Sequence, residues 1–189
     1  MATERPSFTV LKQYDTFEVR EYPPLLVAET VVEGSRDDAS TAGFRRLAAY
    51  IFGGNRGATS IAMTAPVTQT PGQKIEMTAP VAQTATEGKQ WVIQFTMPSS
   101  FTSLEQLPVP NDSTVTLRAT PKRTVAVIQY SGVWSESNFS THLATLTAGL
   151  VKAGLTPHGT ATWARYDPPW KPWFLRTNEI HLTVDAPTM

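Results

Sequence analysis

The chain has 189 residues, 41% of them hydrophobic, with 16 basic and 16 acidic side chains. That is enough for one filled core, and it leaves no net field to draw nucleic acid or an anionic membrane surface. The absence of cysteine excludes disulfides, zinc–thiolate sites, a cysteine nucleophile and thiolate-ligated iron. No stretch approaches the ~20 apolar residues of a membrane span, and the polar opening lacks the apolar region of a secretory leader. The expectation is one soluble, cytoplasmic, monomeric domain over 1–189, with its core over about 8–185.

In chain order, strands are expected over 17–22 and 25–32. A helix follows over 37–52: Ser35 or Asp37 caps it, Phe44, Leu47, Ala48 and Ile51 share a face, and Gly53-Gly54 ends it. The pentapeptide Met-Thr-Ala-Pro-Val then occurs twice, from Met63 and from Met77. Strand alternation sets Ile61, Met63, Ala65 and Val67 on one face, with Ile75, Met77, Ala79 and Val81 on the matching face of a partner. Thr70-Pro71-Gly72-Gln73 supplies a type II turn between them, and Pro66 and Pro80 confine both strands to an edge or a bulge.

Strands over 90–96, 114–118 and 124–130 come next, the first with Trp91, Ile93 and Phe95 on one face. A second helix spans 136–152, capped by Ser135, striped by Phe139, Leu143, Leu146 and Leu150, and stopped at Gly154. Strands over 160–166 and 179–184 close the chain. A weaker repeat underlies this order, because one shift superimposes Arg20 on Arg118, Pro23 on Pro121, Val27 on Val125, Ala28 on Ala126 and Gly34 on Gly132. Eight or so strands and two helices in two related halves predict an α+β fold with a pseudo-twofold axis.

The paired signature, Phe17-Glu18-Val19-Arg20-Glu21-Tyr22, Tyr50-Ile51-Phe52-Gly53-Gly54-Asn55, Tyr166-Asp167-Pro168-Pro169 and Arg176-Thr177-Asn178-Glu179-Ile180 occur in one order. In this the chain resembles the SOUL haem-binding protein family, whose signature is Ile-x-Met-Thr-x-Pro-Val, and more widely the GyrI-like superfamily. The resemblance implies a curved, mainly antiparallel sheet or distorted β-barrel flanked by two helices. It also implies non-covalent binding of haem or a related tetrapyrrole for transport, buffering or delivery. Some members carry a proposed axial histidine in the opening strand; the corresponding position here is Glu21.

The residues themselves suggest a cleft. Tyr166 to Phe174 packs four aromatics and three prolines into nine residues, so Trp170 and Trp173 can flank a flat ligand at low ordering cost. Phe44, Ala48 and Ile51 of the first helix and Met63 form the opposite wall, with Tyr166 beside them. Arg45 and Lys171 are placed to receive carboxylates. No dedicated metal site is expected, since the spacing of His142, His158 and His181 fits no local metal motif. Two alternatives stay open. Glu179, with a raised pKa and helped by Tyr166, could make this a GyrI-like pocket that binds or hydrolyses other hydrophobic molecules; or the aromatic loop could be a protein-interaction module.

Overall fold

The computed structural model describes residues 4–71, 90–167 and 170–187. Its strands are β1 (Thr9–Gln13), β2 (Glu18–Tyr22), β3 (Leu26–Glu33), β4 (Val67–Pro71), β5 (Gln90–Thr96), β6 (Val115–Ala119), β7 (Arg123–Tyr130), β8 (Pro157–Arg165) and β9 (Asn178–Val184). The helices are α1 (Arg36–Ile51) and α2 (Glu136–Ala153). All nine strands form one sheet in the order β1-β2-β7-β9-β8-β4-β5-β3-β6, every neighbouring pair antiparallel. The α+β expectation holds, and so does the repeat. Arg20 lies opposite Val125 while Arg118 lies opposite Val27, so each half lends its opening strand to the other, with the pseudo-twofold axis between β8 and β4.

Helix α1 begins where Ser35 Oγ accepts from Asp38 N, with Asp37 and Asp38 complementing the dipole. It buries Ala39, Gly43, Leu47, Tyr50 and Ile51 against β5, β3 and β6. Gly43 permits an unusually close approach, since a Cβ there would stand 2.4 Å from Ile93 Cγ1 and 2.7 Å from its Cβ. Gly43→Ala is therefore expected to cost about 1–3 kcal/mol as overpacking, read as a shifted urea midpoint; an unchanged midpoint would show that the helix slides freely.

The helix ends through the Gly-Gly-Asn segment. Gly53 sits at φ +108°, Gly54 N donates to Ala49 O, and Asn55 Nδ2 donates to Tyr50 O at 2.9 Å and Thr59 O at 2.8 Å. That Gly-Gly-Asn segment is thus a helix terminator. Helix α2 is capped by Ser135, stopped by Gly154 at φ 68°, and rests Phe139, Leu146 and Leu150 on Phe17, Val19, Trp163, Ile180 and Leu182.

Three readings change, and a fourth lies outside the described residues. Strand β1 was not foreseen; its five residues are all exposed, so no alternation of burial marks it. The first pentapeptide is not a strand: Thr64 makes one isolated bridge to Glu4, and the strand begins only at Val67, after Pro66, which has no N–H to donate. The second copy, with Ile75, Met77, Ala79 and Val81, lies outside the described residues. Phe44 leaves the buried stripe of α1; Tyr50 and Gly43 take the places that spacing gave to Phe44 and Ala48.

Candidate functional site

The sheet has two different faces. On the helix side, a run of contacts leads from α1 to β8. Phe44 meets Phe95 edge-on at 5.4 Å between ring centroids, Val67 pairs with Phe95 on one side and Arg165 on the other, and Arg165 Nη1 donates to Ser40 Oγ at 3.0 Å. Ser40 stands one turn before Phe44, so the run closes on itself. From Arg165 the contacts continue: its guanidinium lies 4.9 Å from the Trp134 ring, and Arg176 lies 4.6 Å from the same ring. Arg36 covers Trp163 at 4.1 Å and pairs with Glu136 at the start of α2 and with Asp37.

Arg176 ties this cluster to the aromatic loop by donating from Nε to Lys171 O at 2.8 Å. The loop is further fixed by Gly132 N donating to Trp173 O, by Thr177 N donating to Asp167 Oδ2, and by the Lys171–Asp167 ion pair at 2.6 Å. Its rings nevertheless face solvent: Trp170 is 83% exposed and Trp173 56%, with Phe174 and Leu175 similar. The open surface between the α1 edge and the loop, termed the trough, is spanned by Arg165 through Ser40 on one side and through Trp134 and Arg176 on the other. Two shallow recesses of about 270 and 300 Å³ lie elsewhere, under Phe17 and Arg20 and under Phe8 and Pro24. Neither is lined by a residue of α1 or of the aromatic loop.

The expected site residues divide. Phe44 is 41% exposed, Ala48 and Met63 are half-buried, Met63 against the core cluster that contains Ile51, and Ile51 lies wholly in that core. Arg45 is exposed on α1, and Lys171 is already neutralised by Asp167. Tyr166 projects through the opposite face of the sheet. Sequence reading missed Arg165, Trp134, Arg36 and Trp163. Alternation along β8 held a signal, because Trp163 and Arg165 share a face and Tyr166 does not.

On the far face, Tyr166 Oη donates to Glu179 Oε2 at 2.6 Å, Arg20 Nη1 reaches both Glu179 oxygens at 3.0 and 3.1 Å, and His181 Nε2 lies 2.8 Å from Oε2. Arg20 also pairs with Glu18. Residues 4–8 cross above: Arg5 over Tyr166 at 4.6 Å and Phe8 over Arg20 at 4.1 Å. Burial would raise the Glu179 pKa, but the bonds from His181 and Tyr166 and the Arg20 charge more than offset it, holding the carboxyl below its ordinary range. Burial and the adjacent carboxylate push Tyr166 upward. The ion pair expected of Glu179 is present, as an ionised partner of buried Arg20, and the raised pKa that the general-base alternative needs is not found.

The sequence profile of the SOUL heme-binding protein family matches residues 3–72 and 68–183. The chain belongs to the SOUL heme-binding family. Heme-binding protein 1 of Xenopus laevis is 28% identical over 170 residues, covering 86% of this chain and 84% of that protein. The crystal structure of the EcmrR C-terminal domain matches with a TM-score of 0.62 at 12% identity, covering 89% of this chain and 96% of that one. A crystal structure of a hydrolase from Listeria innocua gives 0.58 at 11%, covering 98% and 94%. These two likenesses concern the fold alone. Among the described residues no helix is long and apolar enough to cross a membrane, and no group of three or more His, Cys, Asp or Glu could hold a metal ion.

Proposed function

We propose that this chain binds haem or a related tetrapyrrole non-covalently across the trough between α1 and residues 170–175, as a monomeric, non-enzymatic carrier or buffer. The observation that carries the reading is the exposed aromatic set, Phe44, Trp170, Trp173 and Phe174, flanking arginines at the mouth of an open surface. Apolar rings suit the macrocycle and guanidinium groups suit the propionates. Residues present therefore fit the group; when bound, haem would supply an iron centre, while this chain supplies stacking, burial and charge. Glu179 stays outside the trough and locked to Arg20, which supports a binding role over a hydrolytic one. The equal count of acidic and basic side chains supports a small-molecule partner over nucleic acid.

Titration with haemin and with metal-free protoporphyrin, following the Soret band and tryptophan fluorescence, tests the reading. The metal-free ring should bind within about tenfold of haemin, a difference of about 1.4 kcal/mol, with one site per chain. One site follows from the asymmetry of the halves, since His142 stands where Phe44 does and the aromatic loop follows the second half alone.

Single histidine-to-alanine variants should each keep most haemin affinity in their folded fraction. His181 is buried against Glu179 and Tyr22, and His158 pairs with Asp185 at the surface. His142 stacks on Tyr130 at 4.2 Å and lies 2.7 Å from Asn138 O through Nδ1, which puts its lone pair on Nε2. It is accordingly the variant whose loss of both binding and Soret shift would establish coordination in place of packing.

A further inference from the structure

The geometry points to Arg165 as the receptor for a ligand carboxylate, a role that deepens the proposed tetrapyrrole reading and rests on it. Arg165 reaches the helix face because alternation along β8 sends it to the same side as Trp163, and it stops between the α1 wall and the loop. One of its terminal nitrogens is occupied by a neutral partner, the Ser40 hydroxyl. The other, Nη2, is sheltered from solvent and has no hydrogen-bond partner. No carboxylate among the described residues forms an ion pair with it. The charges around it are Arg36, which repels it, and Asp37, which attracts it; Asp37 is itself bonded to Arg36.

A half-buried guanidinium held by a hydroxyl and the face of Trp134, beside a second guanidinium, is an arrangement that folding alone does not favour. A sheltered donor left unmade costs free energy, and so does like charge at short range. Arg20, the buried cation of the far face with a carboxylate at hand, is paired with Glu18 and Glu179. Arg123 resembles Arg165 in having a ring partner, Tyr22, and a sheltered nitrogen without a hydrogen-bond partner, but Ser40 and Trp134 place Arg165 alone of the two beside the α1 edge. A carboxylate entering beside Ser40 would displace the hydroxyl, engage Nη1 and Nη2 together, and relieve the repulsion from Arg36. The fork geometry favours a carboxylate over a neutral ester, which can accept but carries no charge. Arg45 and Lys171, the cations that spacing alone suggested, do not compete: the first projects from the exposed side of α1 and the second is neutralised by Asp167.

The test compares metal-free protoporphyrin with its dimethyl ester, on wild-type protein and on Arg165→Gln and Arg165→Lys, by tryptophan quenching beside thermal melts of the free proteins. Wild type should bind the diacid at least about tenfold more tightly than the ester, the order expected of a charge-assisted hydrogen bond. Arg165→Gln should lose that preference while its ligand-free melting temperature stays level or rises, and Arg165→Lys should keep part of it. If wild type binds diacid and ester alike, the carboxylate role is overturned while porphyrin binding stands, and this comparison needs no variant to fold. If Arg165→Gln keeps the preference, another cation holds the carboxylate and the assignment is wrong. Failure of both porphyrins to bind wild type would overturn the tetrapyrrole reading itself, and this inference with it.

Discussion

Glu179→Ala should destabilise the protein by about 3 kcal/mol or more, the cost of removing one partner from a buried ion pair. The carboxylate is 3% exposed and Arg20 5%, so water cannot replace what is lost. Arg20 would keep Glu18 and the Tyr22 hydroxyl, which limits the damage, while the Tyr166 hydroxyl and His181 Nε2 would lose their acceptor together. Glu179→Gln preserves the shape and one acceptor oxygen and should cost about half as much. Urea denaturation at pH 7 decides the point; a change below about 0.5 kcal/mol for alanine would mean that the cluster is solvated and contributes like a surface pair.

The same cluster gives the protein an acid-sensitive side. Burial lowers the His181 pKa from its ordinary 6.5, against the pull of Glu179, so the folded state keeps the ring neutral. The unfolded chain therefore binds more protons below that value, and the stabilisation present above about pH 6.5 is lost progressively as pH falls. Glu179, held below its ordinary 4.5, adds a second loss as pH falls through that value. Both signs agree, so stability should be level between pH 7 and 8 and decline in two stages toward acid. His181→Gln should remove the upper stage and leave the lower one.

How far the sequence discloses the fold depends on whether a residue's neighbours are local. Strand β5 is legible to its ends because Trp91, Ile93 and Phe95 alternate onto one core, and α2 because Ser135 and Gly154 bracket a regular stripe. The β3 and β7 halves are legible as a repeat because their registers with β6 and β2 preserve the same offsets. Strand β1 carries no burial pattern, since it pairs only at one edge and exposes both faces. Phe44 shows the limit for helices: spacing gives it a core position, but the close seat of Gly43 on Ile93 rotates the stripe and leaves Phe44 at the trough. The far-face cluster was legible as an inward or ion-paired Glu179 near Tyr166, without its cationic partner. Its electrostatic character came from Arg20, distant in sequence and brought beside it through β7, which no local pattern announces.

Trp173→Ala should weaken porphyrin binding by about 10- to 100-fold, or about 1.4–2.8 kcal/mol, the range of an interface hot spot, and Trp170→Ala by a similar factor. A fully covered indole removes roughly 150–250 Å² from water, which at about 25 cal/mol per Å² gives a gross limit of some 4–6 kcal/mol. Ordering of the side chain and residual contacts with the altered loop reduce that figure. The structure makes the experiment clean. Trp170 and Trp173 are exposed in the free protein, and the loop is held by the backbone bonds of Gly132 and Thr177 and by Asp167, so neither substitution should move the melting temperature by more than about a degree or two. Lys171→Ala should cost less in affinity, about 1 kcal/mol or below, because that ammonium is already paired and partly solvated. A lowered melting temperature with unchanged affinity in the folded fraction would make the tryptophans structural. It would also confine the ligand to the α1 wall, where Phe44 is the exposed ring.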